Sequence, residues 1–376
     1  MTDPSAPASP RAANLLNLDY RVEAQRLGKP VVPILDAHLH VNGERAATVF
    51  RDVMDTFAIE RCISMSMIDQ APAVKRVLGD RILFNAVPRF MSEDRLHSFT
   101  QGYLDDLQIW REEFGAGCMK IWNAPRWRMY ARQMTQGQSE IKAEDLIELD
   151  SSWRIRHAER ARELGMMIMI HNADPDTWFR AHYTDVDIFR TKAEQYESLH
   201  TFLERFDDCP VVLAHMGGSP EDLDFLDALL DRHDHLLLDT SATKWIVREV
   251  SKHPAERVRT FMTRWSGRIL FGSDIVTHDD HFANSDGDAS KFAASLAGSE
   301  SEAWELYASR YYALRTLWET AHEGASPIAD PDLMMVEPER YGELDSPALN
   351  GKDLGDELLS MLYLGAAERT MLKWYE

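Results

Sequence analysis

The chain has 376 residues, 41 Lys plus Arg against 62 Asp plus Glu, and a formal net charge of −21 at pH 7. That excess of acid excludes a surface built to track phosphates or anionic lipid, either of which needs a basic stripe. At 44% hydrophobic and 27% charged residues the composition is that of a folded globular chain.

The first residues, MTDPSAPASP, are rich in Pro, Ala and Ser, and residues 1–30 read as an extension whose start is expected to be disordered. They lack the basic start and apolar run of a secretory signal, and no apolar segment approaches bilayer-spanning length, so a cytoplasmic protein is expected. Cys62, Cys118 and Cys209 form no CxxC pair and sit in or beside apolar stretches, which predicts buried, reduced thiols.

From residue 31 on, short apolar runs alternate with stretches of helical length: VVPILDAHLHV (31–41), RCISMSM (61–67), RILFNAVPRF (81–90), GCMKIWN (117–123), GMMIMIHNAD (165–174), CPVVLAHMGG (209–218), HLLLDTSA (235–242) and RILFGSDI (268–275). Eight strands alternating with helices predict right-handed βαβ units closed into an α/β (β/α)8 TIM barrel, with residues 31–376 as a single domain. An open, doubly wound sheet is the other reading. Between the runs, residues 47–60 carry Val49, Phe50, Met54 and Phe57 on one face, and 221–233 follows Ser219-Pro220, read as a cap and a first-turn proline. Two connections are long, 124–152 after the fourth strand and 279–302 after the eighth, which marks them as lids or specificity elements. A helix over 303–322, a Pro-rich segment (326–348) and a closing helix then make a C-terminal helical segment.

Chemistry concentrates at the ends of the runs. In a strand, residues two apart share a face, so Asp36, His38 and His40 look the same way. An isolated HxH is more often a pair of satisfied histidines. Here His171 and His215 close two further apolar runs and Asp274 closes the eighth, and a polar group ending an apolar strand costs burial energy unless it is ligated or hydrogen-bonded. Imidazole and carboxylate together suit one divalent ion, Zn2+ by preference, with a position left for water. Such an ion lowers the pKa of its water to about 7, and Asp274 is placed to accept the proton.

This constellation resembles the amidohydrolase superfamily, in particular the amidohydrolase-related branch that includes aminocarboxymuconate-semialdehyde decarboxylase, resorcylate-type decarboxylases and lactone hydrolases. The motifs are DAHLH, Lys120 in CMKIWN, IHNAD, AHMGG and FGSD, and they span nearly the whole chain. The resemblance implies His38, His40, His171 and Asp274 as ligands of one metal, with His215 bonding the metal water or substrate or acting as an acid/base group. In binuclear relatives a strand-four lysine is carboxylated and bridges two ions, so Lys120 is open to three readings: bridge, substrate anchor, or a lysine pointing outward. Near the C-terminus Ala366 stands where the family commonly has an asparagine.

Trp122, Asn123, Arg126, Trp127 and Arg128 follow the fourth strand in quick succession and, with Arg89, Asn172 and Trp178, are candidates to bind a planar or carboxylated small molecule. Trp and Arg at such places also pack loops onto a barrel rim. Asp239-Thr240-Ser241 offers hydroxyls to Asp274 or substrate, or a turn. His278, His281, Asp279 and Asp280 read as a solvated loop, Asp286-Gly287-Asp288 is too short for a calcium loop, and the helix with Arg310, Tyr311, Tyr312 and Arg315 reads as barrel cover.

The leading expectation is a metal-dependent hydrolase of a C–N or C–O bond in a small amide, ester or lactone, with metal hydroxide attacking and Asp274 carrying the proton to the leaving group. Non-oxidative decarboxylation of a small carboxylic acid is the alternative, and a non-catalytic binding barrel the third. The expected partner is a small molecule, with no nucleic acid or membrane and with room for a homo-oligomer.

Overall fold

A computed structural model describes residues 12–138, 140–282 and 297–376. The expected disordered start and most of the loop after the eighth run, including Asp286-Gly287-Asp288, lie outside the described residues. Each of the eight runs becomes a strand, and the eighth strand breaks after Leu270 and resumes just past its run, at Val276. β1 (Ile34–Val41), β2 (Ile59–Ser64), β3 (Ile82–Ala86), β4 (Cys118–Asn123), β5 (Met167–Asn172), β6 (Val211–Leu213), β7 (Leu236–Asp239), β8 (Ile269–Leu270) and β9 (Val276–Thr277) make one sheet in the order β8-β7-β6-β5-β4-β3-β2-β1-β9. Every pairing in it is parallel.

The sheet closes on itself through the divided strand. β8 pairs with β7 and β9 with β1, and between them the Ala37 N–H donates to Phe271 O, Asp274 N–H to His38 O and His40 N–H to Ile275 O, each at 2.8 Å. This is the predicted TIM barrel. Both faces of a parallel sheet are covered, which is why a strand such as Met167-Ile168-Met169-Ile170 is apolar throughout and fully buried. All three cysteines are free and buried.

Several boundaries shift. The 47–60 helix is found at Glu44–Phe57, stopped by Ala58 in the left-handed region (φ 58°) because Ile59 is already paired with β1. The helix expected from 221 runs Leu223–Arg232 and is capped by Asp222, whose carboxylate accepts from Phe225 N–H; Ser219 bonds the Tyr196 hydroxyl instead. The cover helix is Glu300–Glu319, with Tyr307 and Tyr311 packed on Phe50. The closing helix is interrupted by a π turn at Met361–Gly365, and Leu362 O accepts from Phe271 N–H at 3.2 Å, tying the C-terminus to the broken eighth strand. Ala366 is fully buried there.

The connection after β4 has its own small core of Trp127, Ala131, Leu146 and Ile147, built on helix Trp127–Thr135 and a 3-10 turn at Ala143–Asp145. Behind it stands helix Ser152–Glu163, whose His157 is buried, with its Nε2 at 2.9 Å from Thr100 O and its Nδ1 without a partner among the described residues. Burial pushes the His157 pKa down to about 3, against the hydrogen bond to Thr100.

An ordinary imidazole titrates near 6.5, so between there and about pH 3 the unfolded chain takes up a proton that the folded chain refuses. The stability associated with neutral His157 is therefore intact above pH 6.5 and falls by about 1.4 kcal/mol per pH unit below it. In urea unfolding from pH 6.5 to 4.5, His157→Phe should flatten the acid limb by about that slope; an unaltered slope would mean that His157 titrates normally.

Candidate metal centre and active-site cavity

The carboxyl ends of the strands open into a cavity of about 660 Å3, lined at its floor by His38, His40, Lys120, His171, His215 and Asp274. The alternation of β1 turns His38 and His40 inward, and the break after β8 brings Asp274 against them. Asp274 has φ 58°, a left-handed conformation rare for a residue with a Cβ, held by its N–H on His38 O. Its Oδ1 lies 3.3 Å from His40 Nε2 and 3.6 Å from His38 Nε2.

The orientation of each ring is fixed from behind. His40 Nδ1 meets Met65 O at 3.2 Å, and His38 Nδ1 meets Asp239 Oδ2 at 2.7 Å, so both Nε2 atoms face the cavity. His215 Nδ1 is 2.7 Å from Ser241 Oγ. His171 Nε2 meets Asp174 Oδ1 at 2.8 Å, and Asp174 in turn accepts from the Tyr183 hydroxyl at 2.5 Å, which leaves Nδ1 as the His171 atom for a ligand. His171 and His215 stand edge to face with centroids 4.6 Å apart.

These donors fit a divalent ion. Ligand atoms about 2.0–2.2 Å from a tetrahedral ion lie roughly 3.3 Å from one another; Asp274 Oδ1 stands near that spacing from both imidazoles, the three donor atoms lie within 4.8 Å of one another, and the other nitrogen of each ring is already committed. A second grouping, His38, His215 and Asp239, is also within reach of one point, but there the His38 Nδ1 and Asp239 atoms are bonded to each other. Of the four ligands expected from sequence, the structure gathers His38, His40 and Asp274; His171 borders the same cavity from across His215.

Electrostatics keep the donors in the form a metal needs. Burial would raise the Asp274 carboxyl, but the hydrogen bond with His40 and the facing imidazoles His215 and His38 hold it well below the ordinary carboxylate range. Burial together with Lys120 holds His38 below its usual value, and burial with neighbouring His171 does the same for His215. Lys120 Nζ sits 3.3 Å from His38 Nε2; burial brings its pKa down to about 8, and Asp239 and Asp274 pull the other way. Asp36 shares the β1 face with the histidines but lies deeper, bonded to Ser273, Tyr311 and the His38 N–H, and burial pushes it up to about 7.

The walls are aromatic: Phe90, Phe99, Trp122, Trp127, Tyr130, Trp178 and Trp245. Of the proposed substrate contacts, Lys120, Trp122, Trp127 and Trp178 line the cavity. Arg126 stacks on Trp178 at 5.5 Å, and Arg89 forks onto Asp106 at 3.0 Å outside the lining. Asn123 donates to Asn172 Oδ1 at 3.1 Å, a buried amide pair behind the wall. His281, read as part of a solvated loop, is buried and bonded to the Tyr307 hydroxyl at 2.7 Å, because helix Glu300–Glu319 covers it.

Sequence reasoning missed Asp239 and Asp174 as orienting groups, and Trp245, Lys244, Arg310 and Asp332 as wall residues. An aspartate directly ending a strand, as in LLLD, or three places after a strand-end histidine, as in HNAD, was the available signal.

The amidohydrolase family model matches residues 140–369, more than half of the chain. The chain belongs to the amidohydrolase family. No curated protein sequence matches it. Among solved structures it is similar to 2,6-dihydroxybenzoate decarboxylase from Rhizobium (13% identity, TM-score 0.41, covering 75% of this chain and 98% of that one). It is also similar to 5-carboxyvanillate decarboxylase from Novosphingobium aromaticivorans, solved with manganese (11% identity, TM-score 0.39, 74% and 97%). An amidohydrolase of this build is an enzyme with a His/Asp site for a divalent ion.

Asp239 is the residue on which the site's order turns, since it also accepts from His215 N–H at 2.8 Å and Ser241 N–H at 3.0 Å. Asp239→Asn should weaken divalent-metal affinity by about 10–100-fold, read by competition with a chelator on protein whose melting transition is still cooperative. Wild-type affinity in the variant would show that His38 needs no such support.

Proposed function

We propose that this amidohydrolase is a metal-dependent carboxy-lyase that releases CO2 from a small aromatic carboxylic acid without oxidation. The observation that carries the reading is the pairing of an aromatic-walled cavity with the Lys120 ammonium among the metal donors on its floor. A lysine beside a metal position makes an anion site, and a neutral amide or ester has no charge to place there.

His38, His40, Asp274 and Nδ1 of His171 would hold the ion, Zn2+ or a similar divalent metal. When bound, the ion would anchor and polarise the oxygen atoms of the substrate. The aromatic walls would stack the ring and exclude water, so that charges on the floor act at full strength. Decarboxylation needs a proton delivered to the ring carbon: the new C–H bond forms as the C–C bond breaks, its electron pair returns to the ring, and CO2 departs. Asp274 and His215, facing one another across the floor, are the groups to carry that proton.

A second reading is hydrolysis of a small amide, ester or lactone. What favours it is Asp274 itself, an ionised carboxylate placed to take a proton from water.

Incubating the metal-loaded enzyme with a panel of hydroxylated benzoic acids should release CO2. Asp274→Asn should lower that rate by about 10²–10⁴-fold, and chelation should abolish it with recovery on adding metal. Release of an acid from lactones or amides, with no CO2 from any carboxylate, would establish the hydrolytic reading in its place.

A further inference from the structure

The wall contributed by helices Thr243–Val250 and Glu300–Glu319 presents two cations to the cavity, Lys244 and Arg310. The buried arginines of the protein are each met by acids or by carbonyl oxygens of other segments, Arg128 by Glu148. Arg248 is met by Glu249, Asp330, Asp332 and Thr177, and Arg315 forks onto Glu319 with a further bond to Gly28 O. Arg154 carries no acid, but it donates to Leu146 O and Trp122 O and lies 4.3 Å over the ring of Trp127.

Arg310 is different. Its Nη1 reaches Leu306 O and Ser309 Oγ, both at 2.9 Å and both on its own helix, while Nε and Nη2 have no partner among the described residues. No carboxylate pairs with it there. Asp332, the acid in the same wall, is occupied by Arg248 at 3.2 Å and by the indole N–H groups of Trp178 at 2.8 Å and Trp245 at 3.0 Å. Lys244 likewise makes no hydrogen bond among the described residues, and burial and the charge of Arg310 lower its pKa against the pull of Asp330 and Asp332. Burial also brings Arg310 down to about 10. A half-buried guanidinium with open donors on a cavity wall, beside a second cation, is an arrangement that an incoming anion relieves.

We propose that the substrate carries a second carboxylate, remote from the one that reacts, and that the free fork of Arg310 receives it with Lys244 alongside. The inference rests on the carboxy-lyase reading and narrows it to aromatic dicarboxylates. The planar fork suits a carboxylate bidentately, and the aromatic lining of the same cavity suits the ring that carries the two acid groups. On a chain of net charge −21 a dianion is repelled at long range, so cations lining the cavity, Lys120, Lys244 and Arg310 among them, are what admits it.

The test is binding of benzoate, phthalate, isophthalate and terephthalate to the metal-loaded wild-type enzyme, followed by calorimetry at fixed ionic strength. At least one dicarboxylate should bind about tenfold or more tighter than benzoate, and in Arg310→Gln that ratio should collapse toward one. Arg310→Lys keeps the charge without the fork; it should lower the ratio in part, and it decides the matter if the Gln variant lacks a cooperative melting transition. A wild-type ratio below about threefold, or a ratio that survives in the variants, overturns the second carboxylate while leaving the carboxy-lyase reading in place. Failure of the wild type to bind benzoate and the dicarboxylates alike overturns both.

Discussion

The hydrogen bond from Asp274 N–H to His38 O, 2.8 Å long, does two things at once. It belongs to the set of backbone bonds that closes the barrel where the eighth strand is broken, and it sets the Asp274 carboxylate against the imidazoles of β1. A continuous eighth strand would satisfy the same edge of β1 through a regular ladder and would leave residue 274 with an extended backbone. The break therefore supplies the site. It also explains the demand on the neighbourhood: Asp36 reaches up to hold Ser273 through both N–H and Oγ, and the π turn of the C-terminal segment offers Leu362 O to the Phe271 N–H that the break frees.

Around that closure every imposed charge has a compensating group, and the compensation fixes ring orientation. His38 is held by Asp239, His171 by Asp174, His215 by Ser241 and His40 by a backbone carbonyl. Each commits one nitrogen and leaves the other to the cavity, which is the condition for neutral imidazole ligands. The cost is carried by buried carboxylates that stay ionised only because these partners are present. In Asp239, burial acting to raise the pKa is outweighed by His38, by the hydrogen bond to it and by His215 and Lys120.

Much of this was legible in the sequence because it lies in patterns of low order. The apolar runs mark the strands, since a barrel covers both faces of its sheet, and a ligand placed last in a run falls at the strand's carboxyl end by geometry alone. Alternation in DAHLH gives the shared face of Asp36, His38 and His40, though not their depth: Asp36 lies one pleat below, where it braces the barrel. What escaped the sequence depends on pairing at a distance. The short β8 inside RILFGSDI and the separate β9 just past it follow from which neighbour each meets, β7 for one and β1 for the other. The cap of the 223–232 helix went to Asp222 because Ser219 was taken by Tyr196, a residue of another helix. Arg310 read as cover because nothing local distinguishes an arginine with an acid partner, such as Arg315, from one without.

The strained backbone of the protein clusters at the same rim. Of nine non-glycine residues with positive φ among those described, five follow strands in order around the barrel: Ala173 after β5, His215 and Met216 after β6, Ala242 after β7 and Asp274 after β8. Each conformation costs on the order of 1–3 kcal/mol, so the set is held only by what surrounds it. At β6 the chain continues left-handed through Gly217 and Gly218, where a Cβ on Gly218 would stand 2.6 Å from Asn172 O. Successive strands thus end by turning sharply, at heights where Asp239 can receive the His215 and Ser241 N–H groups. A regular βα turn would carry each strand-end side chain outward with its helix; the left-handed turn holds His215 and Asp274 over the centre of the barrel, within reach of the β1 histidines.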